Sequence, residues 1–174
     1  MTKHDFRLHT PDTAPDAARE SLAQVKQRYG RVPNFFAVAA ESPAAISAYL
    51  SLGKIFGDSG LSPVEQQVVI LAASVENKCD YCVAAHSRGA KMVGVPDEVI
   101  QALRDRTPLK DDKLEALRRL TAQIVDRRGW ASDDEIRNFL GKGYSKSQLL
   151  DVIVGVSMKT LSNYINHISD VPPE

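Results

Sequence analysis

The chain has 174 residues, of which 43% are hydrophobic and 25% charged, with 22 basic and 22 acidic side chains. This composition is typical of a soluble globular protein, and the length predicts one domain over residues 1–174, with residues 1–14 as an extended arm. The balanced, scattered charge argues against a nucleic-acid-binding protein. No apolar run approaches the roughly 20 residues of a membrane span, so we expect a cytoplasmic protein without a membrane partner.

The predicted fold class is all-α, because no window of the sequence shows the alternation of a β-strand. The predicted helices cover residues 14–29, a short segment from 34, 44–56, 62–76, 79–93, 95–104, 111–128, 132–140 and 145–168. Helices 62–76 and 147–168 are almost wholly apolar, so we expect both at the centre and the second to be buried on all sides. One small domain would struggle to cover both, and we therefore expect a homo-oligomer.

Several residues are predicted to mark the ends of these helices. Ser62, followed by a proline, is a predicted N-cap, and so is Asn34. Ser132 with Glu135 three positions later has the form of a capping box. Asn77 is expected to end helix 62–76 in the left-handed conformation.

Both cysteines of the chain lie in the segment CDYCVAAH at residues 79–86. Steps of three and four residues put Cys79, Cys82 and His86 on one face of a helix. At a helix start, unpaired backbone N–H groups and the helix dipole favour the thiolate, which is the reactive form of cysteine. Since cytoplasmic cysteines are normally reduced, the pattern indicates a redox-active or catalytic pair with His86 as its acid-base group.

Two other interpretations of the segment stay open. The cysteines can simply pack as small buried residues. A zinc site would need a fourth ligand, such as His167, and three ligands along one helical face are spread over roughly 10 Å. Ligands so far apart do not converge on one ion, so we expect no bound metal. We also expect no organic cofactor.

The residues LSPVEQQ at 61–67, an apolar helix and then Cys-x-Tyr-Cys-x-x-x-His at 79–86 resemble the AhpD-like, or carboxymuconolactone decarboxylase, superfamily. The pattern NYINH at 163–167 is similar to its peroxidase-related branch. The resemblance implies an AhpD-like all-α fold around a helical hairpin that carries the motif. It also implies a homo-oligomer, as a dimer, a trimer or a trimer of dimers.

The function that this resemblance implies is thiol-dependent reduction of a small hydroperoxide. Cys82 would attack the peroxide and become a sulfenic acid, and Cys79 would resolve it as a disulfide. His86 would assist proton transfer to and from Cys82. A dithiol reductant protein or a small thiol would then reduce the disulfide.

One position departs from the family pattern. The family's proton relay usually includes a glutamate twelve residues before the first cysteine, and that position is Gln67 here. Glutamine cannot accept a proton. Glu65, on another side of the same helix, and Glu76 are other candidates for the relay. Tyr81, inside the motif, is a candidate pocket wall or hydroxyl donor.

Two rival functions are kept beside the peroxidase. One is a carboxymuconolactone decarboxylase-type enzyme, although decarboxylating members of the superfamily need not have a CxxC pair. The other is a non-enzymatic redox sensor or regulatory binding module, in which the disulfide reports an oxidant to a partner. Steady turnover of a hydroperoxide with a dithiol distinguishes an enzyme from a sensor, which oxidises once and stops.

Overall fold

The computed structural model describes residues 2–174, which contain nine α-helices and no β-strand. The helices are α1 (Asp16–Tyr29), α2 (Asn34–Ala39), α3 (Pro43–Gly57), α4 (Pro63–Glu76), α5 (Asp80–Met92), α6 (Asp97–Asp105), α7 (Asp112–Asp126), α8 (Asp133–Gly141) and α9 (Lys146–Ser169). The all-α prediction is confirmed. Within this part of the chain no helix has both the length and the apolar character needed to cross a bilayer.

The chain divides into two compact units. One consists of Met1–Leu52 with Leu161–Glu174, and the other is Gly53–Thr160. Their boundaries fall within α3 and α9. The assignment of residues 1–174 to one domain stays a prediction.

The predicted extended arm in the first unit is not extended throughout. It contains a 3-10 turn over Lys3–Asp5. The backbone N–H of His9 donates to the carbonyl of Ala37 at 3.1 Å. The His9 imidazole is buried, within hydrogen-bond distance of the Glu41 carboxylate (2.8 Å) and the Thr13 carbonyl (2.9 Å). These bonds hold the arm against α2 and the residues that follow it, which a count of polar and proline residues does not reveal.

Asn34 does not cap α2, contrary to the prediction. The N-cap position is occupied by Pro33. The Asn34 amide instead donates to the carbonyls of Pro172 at 3.2 Å and Pro173 at 3.1 Å. Its backbone N–H donates to the Glu174 carboxylate at 2.9 Å. Asn34 therefore binds the segment after α9 rather than the start of its own helix.

Helix α4 is central to the second unit, where it contacts α5, α6 and α7. Ser62 is its N-cap, as predicted, with Pro63 at the first helical position. The Ser62 hydroxyl accepts the backbone N–H of Glu65 at 3.3 Å, and the Glu65 carboxylate accepts that of Ser62 at 2.8 Å. This reciprocal capping box satisfies two otherwise unpaired donors and fixes where α4 begins.

Two other predicted helix ends differ in the structure. Asn77 keeps right-handed geometry, with φ −74°, and Lys78 takes the left-handed conformation, with φ 55°. At α8 the Ser132 hydroxyl accepts the backbone N–H of Glu135 at 3.3 Å. The Glu135 carboxylate pairs with Arg119 rather than with the cap. Only half of the predicted capping box is therefore formed.

Helix α9 is buried along one side rather than on all sides. Leu150 is 64% exposed and Ile153 is 38% exposed. On the buried side, a Cβ added to Gly155 would lie 2.6 Å from the Phe56 ring and 2.9 Å from Cγ1 of Val69. Helix α9 thus approaches α3 and α4 so closely at this point that only glycine fits without displacement.

Candidate functional site

The turn between α4 and α5 places both cysteines at the start of α5. After the left-handed Lys78, the backbone N–H of Cys79 donates to the carbonyl of Ser74 at 3.0 Å. The Cys79 carbonyl accepts the N–H of Val83 at 2.9 Å, which is the first hydrogen bond of the helix. Cys79 is therefore the N-cap residue and Cys82 lies in the first turn. This is the placement predicted from the sequence, within one residue.

The two thiols are in hydrogen-bond contact inside the protein. Cys79 and Cys82 are each 3% exposed and are not joined by a disulfide. The hydrogen bond to Cys82 and burial both raise the pKa of the Cys79 thiol above its ordinary value. Cys79 therefore stays protonated at neutral pH and donates its S–H to the sulfur of Cys82, where negative charge would be stabilised.

Lys159 is the residue of this site that the sequence pattern does not reveal. It lies on α9 and is only 1% exposed. Its Nζ is 2.9 Å from Nε2 of His86, and its side chain also hydrogen-bonds to Cys82. Burial lowers the pKa of Lys159, and negative charge on the neighbouring Cys82 opposes that fall. The sequence signal that could have indicated Lys159 is its position as a lone lysine within a largely apolar stretch of α9.

His86 is half-buried on α5, one turn after Cys82. Burial and the neighbouring Lys159 charge lower the pKa of His86 well below its ordinary value. The imidazole is therefore neutral at neutral pH. An ammonium has no acceptor, so whenever Lys159 is protonated Nε2 of the neutral imidazole accepts its hydrogen bond and Nδ1 carries the imidazole proton.

Gln67 and Tyr81 are the other candidates near the motif. Both side chains are half-buried. The Oε1 atom of Gln67 is buried and has no hydrogen-bond partner among residues 2–174. A buried amide oxygen without a partner is uncommon, and it is often found where a water or a ligand is bound. Gln67 thus remains a candidate for the proposed relay.

The structure does not bring Glu65 to the cysteines. Its carboxylate binds the start of α4 and forms an ion pair with Lys113 at 3.1 Å. Cys79 follows the other end of this 14-residue helix, which is about 20 Å long. Glu76, at the nearer end, forms an ion pair with Arg106 at 3.8 Å. Both carboxylates therefore already have cationic partners outside the thiol pair.

Over residues 2–174 no group of three or more histidine, cysteine, aspartate and glutamate side chains is arranged to hold a metal ion. His167, the fourth ligand considered for zinc, is exposed on α9. Its ring centre is 6.2 Å from that of Tyr164.

Residues 37–123, half of the chain, match the sequence profile of the Carboxymuconolactone decarboxylase family. The matched segment includes Cys79, Cys82 and His86 and ends before α9. No curated protein matches the sequence.

Several solved structures have the same fold. An uncharacterized peroxidase-related protein from Ralstonia eutropha JMP134, described as an alkylhydroperoxidase AhpD core, has a TM-score of 0.86 and 18% identity, over 99% of this chain and 92% of that chain. A second uncharacterized peroxidase-related protein, from Silicibacter sp. TM1040, has a TM-score of 0.82 and 18% identity, with the same coverage. A cysteine-to-alanine variant of the debrominase Bmp8, in complex with 2,3,4-tribromopyrrole, has a TM-score of 0.83 and 14% identity, over 99% of this chain and 92% of that chain.

These identities are low, so the structural comparisons establish the fold and not the reaction. The family profile rests on the sequence itself and covers the helices that carry the cysteines. The two comparisons agree, and the chain therefore belongs to the carboxymuconolactone decarboxylase family and has its AhpD-like helical fold.

Proposed function

We propose that the protein is a thiol-dependent oxidoreductase that reduces hydroperoxides through a dithiol/disulfide cycle of Cys79 and Cys82. The observation that carries this proposal is the contact between two buried thiols at a helix start, beside a buried lysine. A pair in such contact can pass between the dithiol and the disulfide with little movement. The family match and the peroxidase-related proteins of the same fold support the assignment.

Cys82 is the proposed nucleophile and Cys79 the resolving thiol. The Cys82 thiolate attacks the terminal peroxide oxygen, so an S–O bond forms and the O–O bond breaks. The departing alkoxide takes up a proton and leaves as an alcohol, while Cys82 becomes a sulfenic acid. His86, one turn along α5, is proposed to assist this proton transfer.

The second half of the cycle returns both sulfurs to the thiol state. Cys79 loses its proton and attacks the Cys82 sulfur, so the S–S bond forms, the S–O bond breaks and water leaves. The peroxide has then gained two electrons and the two thiols have lost them. An external dithiol reduces the disulfide by thiol–disulfide exchange.

The burial of the thiols limits the proposed substrate. With each cysteine 3% exposed, an oxidant must enter the protein before it reaches sulfur. Hydrogen peroxide and short-chain organic hydroperoxides are small enough to do so during local opening. We therefore propose a small hydroperoxide as the substrate.

The test is steady turnover. With excess dithiothreitol and hydrogen peroxide or tert-butyl hydroperoxide, we expect continuous loss of peroxide with one dithiol oxidised for each peroxide consumed. Mass spectrometry of alkylated protein should show a Cys79–Cys82 disulfide after peroxide alone, and its loss on addition of the dithiol. Oxidation that stops after one equivalent would contradict the enzyme and favour the redox sensor.

Reductive debromination is the second candidate, because the same pair can supply two electrons to a carbon–bromine bond. The observation that favours it is the debrominase Bmp8, which shares the fold and binds 2,3,4-tribromopyrrole. In this reaction the C–Br bond is replaced by C–H, bromide leaves, and the thiols become a disulfide. Release of bromide from 2,3,4-tribromopyrrole, without loss of hydroperoxide, would favour this candidate over the peroxidase.

Restoring the carboxylate at the relay position should accelerate peroxide reduction. For Gln67→Glu we expect the rate of peroxide reduction to rise by at least about tenfold. This is less than the rate enhancement of about 10²–10⁴ that a direct general base contributes. The physical reason is that a carboxylate can accept a proton and the present amide cannot. Stopped-flow measurement of peroxide reduction checks this, with Gln67→Leu as the matched control that removes polarity without adding a base. Equal rates for Gln67→Glu and the parent would mean that the position has no role in proton transfer.

We further propose that the protein forms a homo-oligomer. Leu150 and Ile153 on α9 leave large apolar side chains in contact with solvent in the single chain. A second copy that covers this side of α9 would bury them.

A further inference from the structure

We propose that Lys159 neutralises the Cys82 thiolate and holds the proton that Cys82 releases. The proton steps rest on the proposed function, whereas the ion pair between ammonium and thiolate does not. Lys159 contacts a reacting sulfur atom, and we therefore assign it to the catalytic residues of the site.

The first support is the burial of both partners. Lys159 is 1% exposed and Cys82 is 3% exposed. An isolated charge in such a place is strongly disfavoured, whereas two opposite charges in contact compensate each other. Lys159 hydrogen-bonds to Cys82, so the pair can exist either as thiol and amine or as thiolate and ammonium. The proton moves between the partners without a change in their total charge.

The second support is the orientation of Lys159 by His86. Nε2 of His86 lies 2.9 Å from Nζ of Lys159 and can accept a hydrogen bond from its ammonium form. One N–H is thus directed to the imidazole while another remains for the Cys82 sulfur. The titratable groups that face Lys159 include Cys82 and His86, and the protonated Cys79 thiol lies next to Cys82.

The third support is that His86 is poorly suited to store the proton itself. Burial and the neighbouring ammonium lower the pKa of His86, so a proton placed there would move to a stronger base. Lysine is intrinsically the stronger base by several pH units. We therefore assign His86 to positioning Lys159, and Lys159 to holding the proton.

The proton balance of the cycle follows from this assignment. The Cys82 thiolate attacks the peroxide, and the Lys159 ammonium gives its proton to the leaving alkoxide and becomes an amine. The amine then takes the proton of Cys79 as that thiol attacks the sulfenic acid, and passes it to the departing hydroxide to form water. When the external dithiol reduces the disulfide, one of its protons returns to Cys79 and the other to Lys159.

The experiment measures the ionisation of Cys82 directly. In a Cys79→Ser background the chain has one thiol, and its thiolate absorbance can be followed against pH, with the Cys79→Ser/Cys82→Ser protein as the blank. Lys159→Met should move the midpoint of this titration up by about 1 to 3 pH units, because an opposite charge in contact favours the ionised form. Lys91→Met, which removes an exposed lysine from α5, is the matched control and should cause no shift.

Two further measurements separate this role from a structural one. Methionine has nearly the shape of lysine, so Lys159→Met should unfold at the same or a higher temperature than its parent. If Lys159 had a structural role, its loss would lower the unfolding temperature. In the unsubstituted protein labelled with ¹⁵N-lysine, the Lys159 Nζ signal should be that of an ammonium throughout the pH range in which the thiolate is observed. An amine signal in that range, or equal titrations in Lys159→Met and its parent, would overturn the proposal. Neither readout uses peroxide, so failure of the peroxidase assay leaves this test intact.

Discussion

Replacing Cys82 with serine is expected to abolish hydroperoxide consumption, with a loss of roughly a thousandfold or more in rate. Serine keeps the size and position of the side chain. Its hydroxyl, however, is a far weaker acid than a thiol and cannot form the sulfur–oxygen intermediate. The measurement is the steady-state loss of hydroperoxide with excess dithiol, for the parent and Cys82→Ser at equal protein concentration.

The matched control is Cys79→Ser. It retains the attacking sulfur and loses the resolving thiol, so it should consume about one equivalent of peroxide and stop. Mass spectrometry should then find a sulfenic acid on Cys82, or a mixed disulfide when a small thiol is present. Unchanged peroxide consumption by Cys82→Ser would remove the peroxidase proposal. A sulfenic acid on Cys79 in that variant would instead exchange the roles of the two cysteines.

Gly155→Ala should lower the free energy of unfolding by about 1–3 kcal/mol, although alanine is the better helix former. The added Cβ would lie within 3.0 Å of two atoms of the Phe56 ring and of one methyl group of Val69. The ring is 2% exposed and Val69 is fully buried, so neither side chain can move aside into solvent. Urea unfolding at fixed protein concentration measures the change, since an oligomer would unfold in a concentration-dependent way.

Gly89→Ala is the comparison for that experiment. Gly89 lies within α5, and a Cβ added there would meet nothing within 4 Å. Alanine should therefore stabilise the protein by about 0.5–1 kcal/mol through helix propensity alone. An equal stabilisation in Gly155→Ala would mean that α9 does not pack against Phe56 and Val69 as closely as described.

The helices could be predicted from the sequence because their ends carry local signals. Ser62 with Pro63 marks the start of α4, and Gly30, with φ 73°, marks the end of α1. Such signals depend on the backbone of a few neighbouring residues. Where a side chain is used for a distant contact the prediction failed, as at Asn34, which binds the segment after α9.

The position of the cysteines in the fold could be predicted for a similar reason. The spacing of Cys79, Cys82 and His86 within one helix already places them on one face, and the structure keeps the two thiols in contact. Lys159 could not be found in this way. Nothing local connects a lysine on α9 to a cysteine on α5, and its apolar neighbours alone would predict that it extends to solvent.

The exposed side of α9 shows what the hydrophobicity of a sequence does not predict. A helix with apolar residues on every side was expected to be enclosed, but Leu150 and Ile153 remain at the surface of the single chain. Hydrophobicity indicates that a surface avoids water, and it does not distinguish contact within one chain from contact between chains.

The site draws on two separate regions of the sequence. His86 and Lys159 are 73 residues apart, and the segment that identifies the family ends at residue 123. Membership in this family is thus decided by residues 37–123, without reference to the lysine that α9 places beside the thiols. Two chains that match this profile equally well can therefore differ at the position that Lys159 occupies here, and so in the group beside the thiols. Classification of such proteins by chemistry therefore requires that helix to be compared as well.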